Sequence, residues 1–421
     1  MSRQSPLIWR LVEDSMSEAA FLWLRLDAAL NADDHRLQDV ERWVEERLEG
    51  ALDGVRVAGS SALDSLLPQA IEDEDLGAVA AAAYLTASLR HASATRLLEH
   101  ALRQAKGARG AALACGLGRA ANKELLYGLW ARLAAEAGCA QATLLDALTF
   151  CAEAPPAELR ASLESPEPEL RRAAARALRF LPSSARDKLI SRALGSSDAA
   201  VQTSACVASL AAGDAQAWSA CLARAQKLDV ESAELLPLVA ALGSAREHAR
   251  IEEALSVPAL RQSALWALGF AGTPAAAEAC LAQLEAGRDV REALAALTMI
   301  TGLQLPAGSA AEDGDDVPVP DPQALRDWWQ NQRARFEAGA RYLDGERVTL
   351  PRLRAALVHG TTRRRHTLAL ELAVRSRGGF SLQPRAFCRQ QREQLKQLES
   401  LEDRQLHSAC RALGVSPLAS P

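Results

Sequence analysis

The sequence predicts an all-α protein that is built as an elongated repeat of helix pairs. Ala fills 87 and Leu 66 of the 421 positions, whereas aromatic residues make up only 4%. Ala and Leu are strong helix formers, while strands prefer β-branched and aromatic residues. A Leu–Ala pattern also recurs about every 30 residues, and 421 residues is large for a single core. These observations argue against a sandwich, a barrel or a parallel-sheet enzyme.

The repeat is clearest in the middle of the chain. The segment 170–178 (LRRAAARAL) returns as 260–268 (LRQSALWAL), and 201–208 fits the same frame. A shorter copy begins at Val290, so that successive starts lie 31, 59 and 30 residues apart. The segment 235–242 supplies the unit that is missing from the long interval. The sequence therefore predicts one helix pair about every 30 residues.

Each copy has the pattern of an amphipathic helix. Its apolar residues stand at i, i+4, i+7 and i+8, which form one helical stripe. Helix-starting residues precede several copies, because a missing N–H costs nothing there and a carboxylate meets the positive end of the helix dipole: Pro166, Pro168, Asp198, Pro258 and Asp289. A second apolar helix follows each first one, for example over 185–194 and 274–284. Such pairs bury their apolar faces only by stacking into a solenoid.

Four regions follow from composition. Residues 1–58 are predicted to form an N-terminal helical cap with a polar outer face, and residues 59–302 the solenoid. Residues 303–323 are acidic and rich in Pro and Gly, which predicts an exposed loop or linker. Residues 324–421 are predicted to be a basic helical region. From residue 321 onward there are 18 basic and 10 acidic side chains, against 30 and 43 before it.

No catalytic, cofactor-binding or metal-binding residue is predicted. The motif Gly116-Leu-Gly118 imitates a dinucleotide-binding fingerprint, but the residues before it have a helical pattern where the fingerprint needs a strand. The seven histidines lack metal-ligand spacing, and no nucleophile–base set is recognisable. The eight cysteines form no CxxC pair, no signal peptide is evident, and the longest apolar run (78–89) is too short to span a bilayer. We therefore expect a cytoplasmic protein that is not an enzyme and does not insert into membranes.

The strongest functional signal is a run of arginines. Residues 351–392 hold ten Arg and a single acid, Glu371. Arginine offers a planar set of donors for carboxylate or phosphate. Three interpretations stay open: a solvated surface that balances the acidic solenoid, a docking site for an acidic protein, and a nucleic-acid site. The candidate partner-binding residues are Arg352, Arg354, Arg363, Arg364, Arg365, Arg375 and Arg377, together with Trp328 and Trp329.

The two tryptophans open the C-terminal region. Neighbours on a helix point about 100° apart, so we expect one of Trp328 and Trp329 in the core and the other partly exposed. The exposed ring would serve as a binding hot spot.

The L/V-R-x-x-A-x-x-A-L frame resembles short bacterial HEAT-like repeats over residues 155–302. Further segments resemble an uncharacterised bacterial HEAT-repeat family that is often encoded in type VI secretion gene clusters: FLWLRLD (21–27), LDGVRVAG (52–59), PDPQALRDWW (320–329), RYLDG (341–345) and LALEL (368–372). The resemblance implies an α-solenoid over almost the whole chain. It transfers no active-site residue, because the family has none assigned.

From these features we expect a non-catalytic scaffold or adaptor that binds a protein partner, as an accessory component of a type VI secretion system. One alternative is a HEAT-like protein that binds nucleic acid through the Arg-rich region. A second alternative is a lyase-like HEAT-repeat enzyme, which would need a deep pocket lined by ionisable groups.

Overall fold

The computed structural model describes residues 8–89, 91–134, 138–214, 216–304 and 320–419. The chain is 73% helical with few strands, which confirms the predicted all-α class. Most of the predicted acidic loop, residues 305–319, lies outside the described residues. Over the described ranges, no helix combines the length and the apolar character that crossing a membrane requires.

Helices follow one another closely from the start of the described chain. Up to residue 196 they are α1 (Trp9–Ala29), α2 (Leu37–Val40), α3 (Glu46–Arg56), α4 (Ser60–Asp64), α5 (Leu66–Glu72), α6 (Leu76–Ser88), α7 (Ala92–Arg103), α8 (Gly107–Ala120), α9 (Lys123–Arg132), α10 (Cys139–Phe150), α11 (Leu159–Leu163), α12 (Pro168–Ala177) and α13 (Ser183–Leu194). A π-helical turn, Glu41–Glu45, joins α2 to α3, and a 3₁₀ turn, Leu178–Phe180, follows α12.

The described residues after 196 are also mainly helical and contain one hairpin. Its helices are α14 (Ala199–Ala211), α15 (Ala217–Ala225), α16 (Leu236–Leu242), α17 (Ala245–Ala254), α18 (Arg261–Ala271), α19 (Pro274–Glu285), α20 (Val290–Thr301), α21 (Pro322–Gln332), α22 (Leu350–His359), α23 (Thr362–Arg375), α24 (Cys388–Leu395) and α25 (Asp403–Leu413). Short 3₁₀ turns cover Val230–Leu235, Arg333–Arg335 and Lys396–Ser400, and the hairpin consists of β1 (Tyr342–Leu343) and β2 (Glu346–Arg347).

The chain divides into two compact units. The first unit consists of residues 1–196 and the later segment 383–393. The second unit consists of residues 197–382 and 394–421. The boundaries predicted at 58–59 and 302–303 therefore lie inside these units. The predicted basic C-terminal region contributes to both.

The helices predicted from the repeat are present. The copies at 170, 201, 260 and 290 lie in α12, α14, α18 and α20, and the segment 235–242 contains α16. Asp198 caps α14 as expected, since its Oδ1 accepts from Ala200 N at 3.0 Å and from Val201 N at 3.2 Å. Asp289 differs, because it makes no cap bond to α20 and instead lies 3.5 Å from the Arg261 guanidinium.

The arginine of the repeat frame has a structural role. Arg171 donates to the carbonyl oxygens of Ser165 at 2.9 Å and Pro166 at 2.8 Å. Arg261 donates in the same way to Leu255 O at 2.9 Å, at the end of α17. A helix leaves its last carbonyls without intrahelical partners, and cationic donors stabilise that end. In these two copies the repeated arginine thus ties its helix to the end of the helix or turn before it.

In the first unit the helices α1, α6, α8, α10 and α12 lie side by side in that order. Helix α6 is buried almost throughout, and it contacts both α1 and α8. The glycines of the dinucleotide-like motif lie inside α8. A Cβ atom at Gly116 would lie 2.3 Å from Ala80 O in α6, and one at Gly118 would lie 2.6 Å from the Phe150 side chain in α10. These glycines therefore permit close helix packing.

The late segment 383–393 joins the first unit through buried polar contacts. Arg119, 1% exposed, donates to Asp27 Oδ1 at 2.6 Å and to Arg385 O at 3.0 Å. Its guanidinium lies 4.9 Å from the Trp23 ring and 5.6 Å from the Phe387 ring. The cation is thus enclosed by two aromatic faces and neutralised by one carboxylate, which is a favourable setting for a buried arginine.

The hairpin β1–β2 in the second unit departs from the predicted all-helical C-terminal region. Tyr342 pairs with Arg347, and Leu343 with Glu346, around a turn formed by Asp344 and Gly345. Both turn residues have positive φ, 52° and 79°. An Asp-Gly pair is the residue pair that favours such two-residue turns, so the sequence carried a local signal for this hairpin.

Gly116→Ala should destabilise the first unit by about 1–3 kcal/mol, because the added methyl meets backbone and α6 must move away from α8. Urea unfolding followed by circular dichroism measures the change. Gly128→Ala in α9 is the matched control, since no atom lies within 4 Å of its Cβ position. That variant should be neutral or up to about 1 kcal/mol more stable, from helix propensity alone. Equal destabilisation of both variants would contradict the close-packing role.

Candidate functional site

All nine residues predicted to bind a partner lie in the second unit, and most of the arginines are engaged within it. Arg352 donates to Asp344 Oδ2 at 2.7 Å and to Leu343 O at 3.1 Å. Arg364 donates to the other oxygen of Asp344 at 2.6 Å. The carboxylate of the hairpin turn is therefore shared by two arginines from α22 and α23. These two charges stabilise the hairpin.

The neighbouring arginines bind carbonyls and rings. Arg354 donates to Leu401 O, and Arg365 donates to Leu357 O while it is 1% exposed. The Arg363 guanidinium lies 4.1 Å from the centre of the Trp266 ring, within the distance of a cation–π contact. Arg377, by contrast, is exposed to solvent.

The expectation for the tryptophan pair is confirmed. Trp329 is buried and Trp328 is half-buried on α21. The Trp329 ring lies 5.1 Å from Phe336, which in turn lies 4.7 Å from Tyr342 of the hairpin. Trp329 is thus a packing anchor between α21 and β1.

The single acid of the Arg-rich run, Glu371, is at the centre of a buried charge cluster. Its side chain is fully buried in α23 and accepts from Arg375 Nε at 2.8 Å and from Arg341 Nη2 at 2.9 Å. Both arginines also donate to Ala241 O, at 3.0 and 3.1 Å. Arg375 Nη1 reaches Ser416 O at 2.7 Å. We call Arg341, Glu371 and Arg375 the buried charge triad.

Burial alone would raise the pKa of the Glu371 carboxyl. The positive charges of Arg341 and Arg375, with their hydrogen bonds, outweigh that effect and hold the pKa below its usual value. The carboxylate therefore stays ionised at neutral pH. Through Arg341 and Arg375, the carboxylate links α23 to the chain just before β1, to α16 and to the segment after α25.

The burial of two candidates corrects the sequence interpretation. Arg365 and Arg375 are each 1% exposed, so the prediction that they contact a partner is wrong. Their guanidinium groups satisfy carbonyl and carboxylate groups of the second unit instead. Arg352 and Arg364 are half-buried and ion-paired, which leaves Arg377 as the exposed member of the set.

A different surface stands out by its exposed apolar side chains. Ten large apolar side chains are notably exposed over the described residues, and six of them belong to residues 8–57. We define the N-terminal apolar surface by Leu11, Phe21, Leu24, Trp43 and Val57. Large exposed apolar side chains are candidates for protein–protein contacts.

Two contacts fix the geometry of this surface. Arg47 of α3 donates to Glu18 of α1 at 3.1 Å, and a Cβ at Gly54 would lie 2.3 Å from Ser15 Oγ. Moving back along α1 corresponds to moving forward along α3, so the helices are antiparallel. Phe21 follows Glu18 by three residues and Trp43 precedes Arg47 by four, so each residue stands about one helical turn from the ion pair along its own segment. Their exposed fractions are 58% and 56%.

The surroundings of the N-terminal apolar surface are acidic. Glu13, Asp14 and Glu18 lie on the exposed face of α1, and Glu46 and Glu49 are exposed on α3. The exposed arginines Arg25, Arg42 and Arg47 offset part of this charge. Residues 1–58 contain 12 acidic and 7 basic side chains. The surface therefore combines exposed aromatic rings with negative charge.

Sequence reasoning missed this surface because it predicted a polar outer face for the N-terminal cap. Phe21 in α1 and Trp43 in the π-helical turn before α3 show that this expectation is wrong there. A signal was present: residues 19–24 (AAFLWL) are six consecutive apolar residues. A helix with one buried stripe needs only three or four apolar residues in two turns, so some of the six had to remain exposed.

In the described ranges no group of three or more His, Cys, Asp and Glu side chains is placed to hold a metal ion.

Glu371→Gln should destabilise the second unit by about 3–5 kcal/mol, because it leaves two buried guanidinium groups without their shared counter-charge. Chemical unfolding of the full chain measures the loss. Glu346→Gln is the matched control, since this carboxylate is 68% exposed and pairs with Arg352 at 3.1 Å. The control should change stability by less than about 1 kcal/mol. A similar small change for Glu371→Gln would show that the triad is not structural.

The lowered pKa of the Glu371 carboxyl also predicts how the stability of the second unit changes with pH. Its pKa is lowered in the folded state, so its contribution is complete above the unfolded pKa of about 4.3 and is lost as the pH falls through the folded value. The difference in unfolding free energy between wild type and Glu371→Gln should therefore shrink below about pH 4. Urea titrations between pH 3 and 7 test this. A difference that grows on acidification would contradict the assignment.

No protein-family model and no curated protein matches the chain. Solved structures similar to it include the Escherichia coli protein YibA, at 12% identity and a TM-score of 0.29, with 71% of this chain and 98% of YibA covered. An engineered protein matches at 16% identity and a TM-score of 0.30, with 85% of this chain and 98% of that chain covered. At these values neither likeness bears on the function of the chain.

Proposed function

We propose that the protein is a non-catalytic scaffold that binds a protein partner through its N-terminal apolar surface. The observation that carries the proposal is the exposure of Phe21 and Trp43, each about one helical turn from the Glu18–Arg47 ion pair along its own segment. Aromatic side chains dominate the binding energy of protein interfaces. The arginines predicted to bind a partner are largely engaged inside the second unit. We therefore assign the partner contact to the N-terminal apolar surface instead.

The exposed groups of this surface indicate the kind of partner that it would bind. Exposed apolar rings in a segment of net negative charge are complementary to an amphipathic helix that carries Leu-like side chains beside Lys or Arg. A second copy of the chain fits less well. A two-fold contact would bring the acidic middle of one α1 against the same acidic residues of the other, and like charges repel.

The architecture supports a scaffold. Helices start at residues 76, 107, 139, 168, 199, 236, 261 and 290, close to the predicted period. We infer that the helix pairs stack as a HEAT-like solenoid, whose rigid repeats present partner-binding surfaces with little loss of conformational entropy. The sequence resemblance leads us to propose further that the partner belongs to a bacterial type VI secretion apparatus and that the complex is cytoplasmic.

A labelled 18-residue amphipathic helix of Leu and Lys provides a defined probe for the N-terminal apolar surface. The full-length protein should bind it with saturation in fluorescence anisotropy. The double variant Phe21→Ser/Trp43→Ser should weaken binding at least about tenfold, because two aromatic anchors are lost. Affinity capture from the native host with the same pair of proteins then identifies the natural partner.

The control variant is Val230→Ser/Val358→Ser, which removes two exposed apolar side chains from the second unit. It should bind the probe like wild type. Equal loss in both double variants would mean that the probe adheres to apolar groups in general. Unchanged binding by Phe21→Ser/Trp43→Ser would refute the proposed surface.

A further inference from the structure

The second unit contains a cavity of about 380 Å³ that adjoins the buried charge triad. Arg341, Arg347 and Arg375 line it together with Ser244 and His248. Alanine, valine, proline and leucine side chains form much of the remaining wall. Its volume falls in the range of small-molecule sites, which are mostly apolar with a few converging polar groups.

The cavity has an excess of positive charge. Two guanidinium groups of the triad share the single carboxylate of Glu371. The cavity is also lined by Arg347, which lies outside the triad. Its side chain is about half exposed and lies 3.6 Å from the Glu337 carboxylate. No acidic residue is among the lining residues. A buried unbalanced charge is costly, so a bound group of one negative charge would complete the balance of the triad.

Donor groups of the triad are also left over. Arg341 Nη2 donates to Glu371 Oε2, and Arg375 Nη2 donates to Ala241 O. Each of these two nitrogens carries two N–H groups. The hydrogen bond given above uses one of them, so the second N–H of each nitrogen remains available to an acceptor. The planar fork of arginine N–H groups matches the geometry of a carboxylate, which carries the single charge required.

His248 contributes a neutral side chain to the wall. Its Nε2 lies 2.9 Å from Ala240 O, and because a carbonyl oxygen only accepts, Nε2 carries the proton. Burial lowers the pKa of His248, which keeps the ring neutral. The buried Nδ1 is then a bare acceptor, and no partner for it is found among the described residues.

We propose that this cavity is a binding site for a small, partly apolar carboxylate. The carboxylate would lie against Arg341, Arg347 and Arg375, and the apolar part against the alanine, valine and leucine side chains. The site is separate from the N-terminal apolar surface and does not depend on the proposed scaffold function.

Sodium hexanoate and its neutral isostere hexanamide are suitable probes, with inorganic phosphate as a third. Calorimetric titration of the full-length protein should show saturable hexanoate binding, together with a rise in Tm that grows with concentration. Hexanamide should bind at least about tenfold more weakly, because it lacks the charge. If phosphate binds and hexanoate does not, the assignment to a carboxylate is overturned.

Two variants locate the binding. Arg347→Gln removes a charge at the half-exposed rim and should weaken hexanoate binding about three- to tenfold. Ala245→Leu narrows the cavity from the exposed first turn of α17 and should weaken it further. The control Arg335→Gln removes an exposed arginine outside the cavity and should bind like wild type. Unchanged affinity in both cavity variants, or no saturable binding by wild type, overturns the proposal.

Discussion

The buried carboxylate of Glu371 is the constraint on which the second unit depends. It lies between Arg341 and Arg375, and those arginines reach carbonyl groups of α16, α18 and the segment after α25. A carboxylate without solvent needs such partners, and the guanidinium groups equally need the carboxylate. Elements that are far apart in the sequence are therefore held by one set of charge-assisted hydrogen bonds.

The first unit also contains a buried arginine, but there a single carboxylate and two aromatic rings surround it. Arg119 is enclosed by the Trp23 and Phe387 rings and is neutralised by Asp27. A second buried carboxylate, Glu45, accepts from Cys388 N at 2.6 Å where α24 begins, and burial raises its pKa. A carboxylate at a helix N-terminus is stabilised by the unpaired N–H groups there. These contacts explain how a segment from residue 383 onward becomes part of a unit that begins at the N-terminus.

Both units therefore use arginine chiefly as a structural residue. Arg171 and Arg261 bind the carbonyls that end the preceding helix or turn, Arg352 and Arg364 share Asp344, and Arg365 binds a carbonyl in α22. A chain rich in alanine and leucine has few polar side chains to satisfy helix ends, and the five donors of arginine meet this need. A basic sequence segment in such a protein is thus weak evidence for an acidic partner, and the exposed apolar groups of α1 and of the turns on either side of α3 carry more functional information.

The sequence by itself determined the helical class, the helices of the repeat and the contrast between Trp328 and Trp329, because each depends on local propensity and a period of 3.6 residues. It also contained the Asp-Gly turn of the hairpin and the apolar excess of residues 19–24. Only the tertiary structure decided which arginines are buried. Arg352 and Arg375 look alike in sequence, yet one is half-buried and paired with Asp344, while the other is closed around Glu371. The pairing of charges depends on contacts between residues as distant as 45 and 388, and local patterns do not specify them.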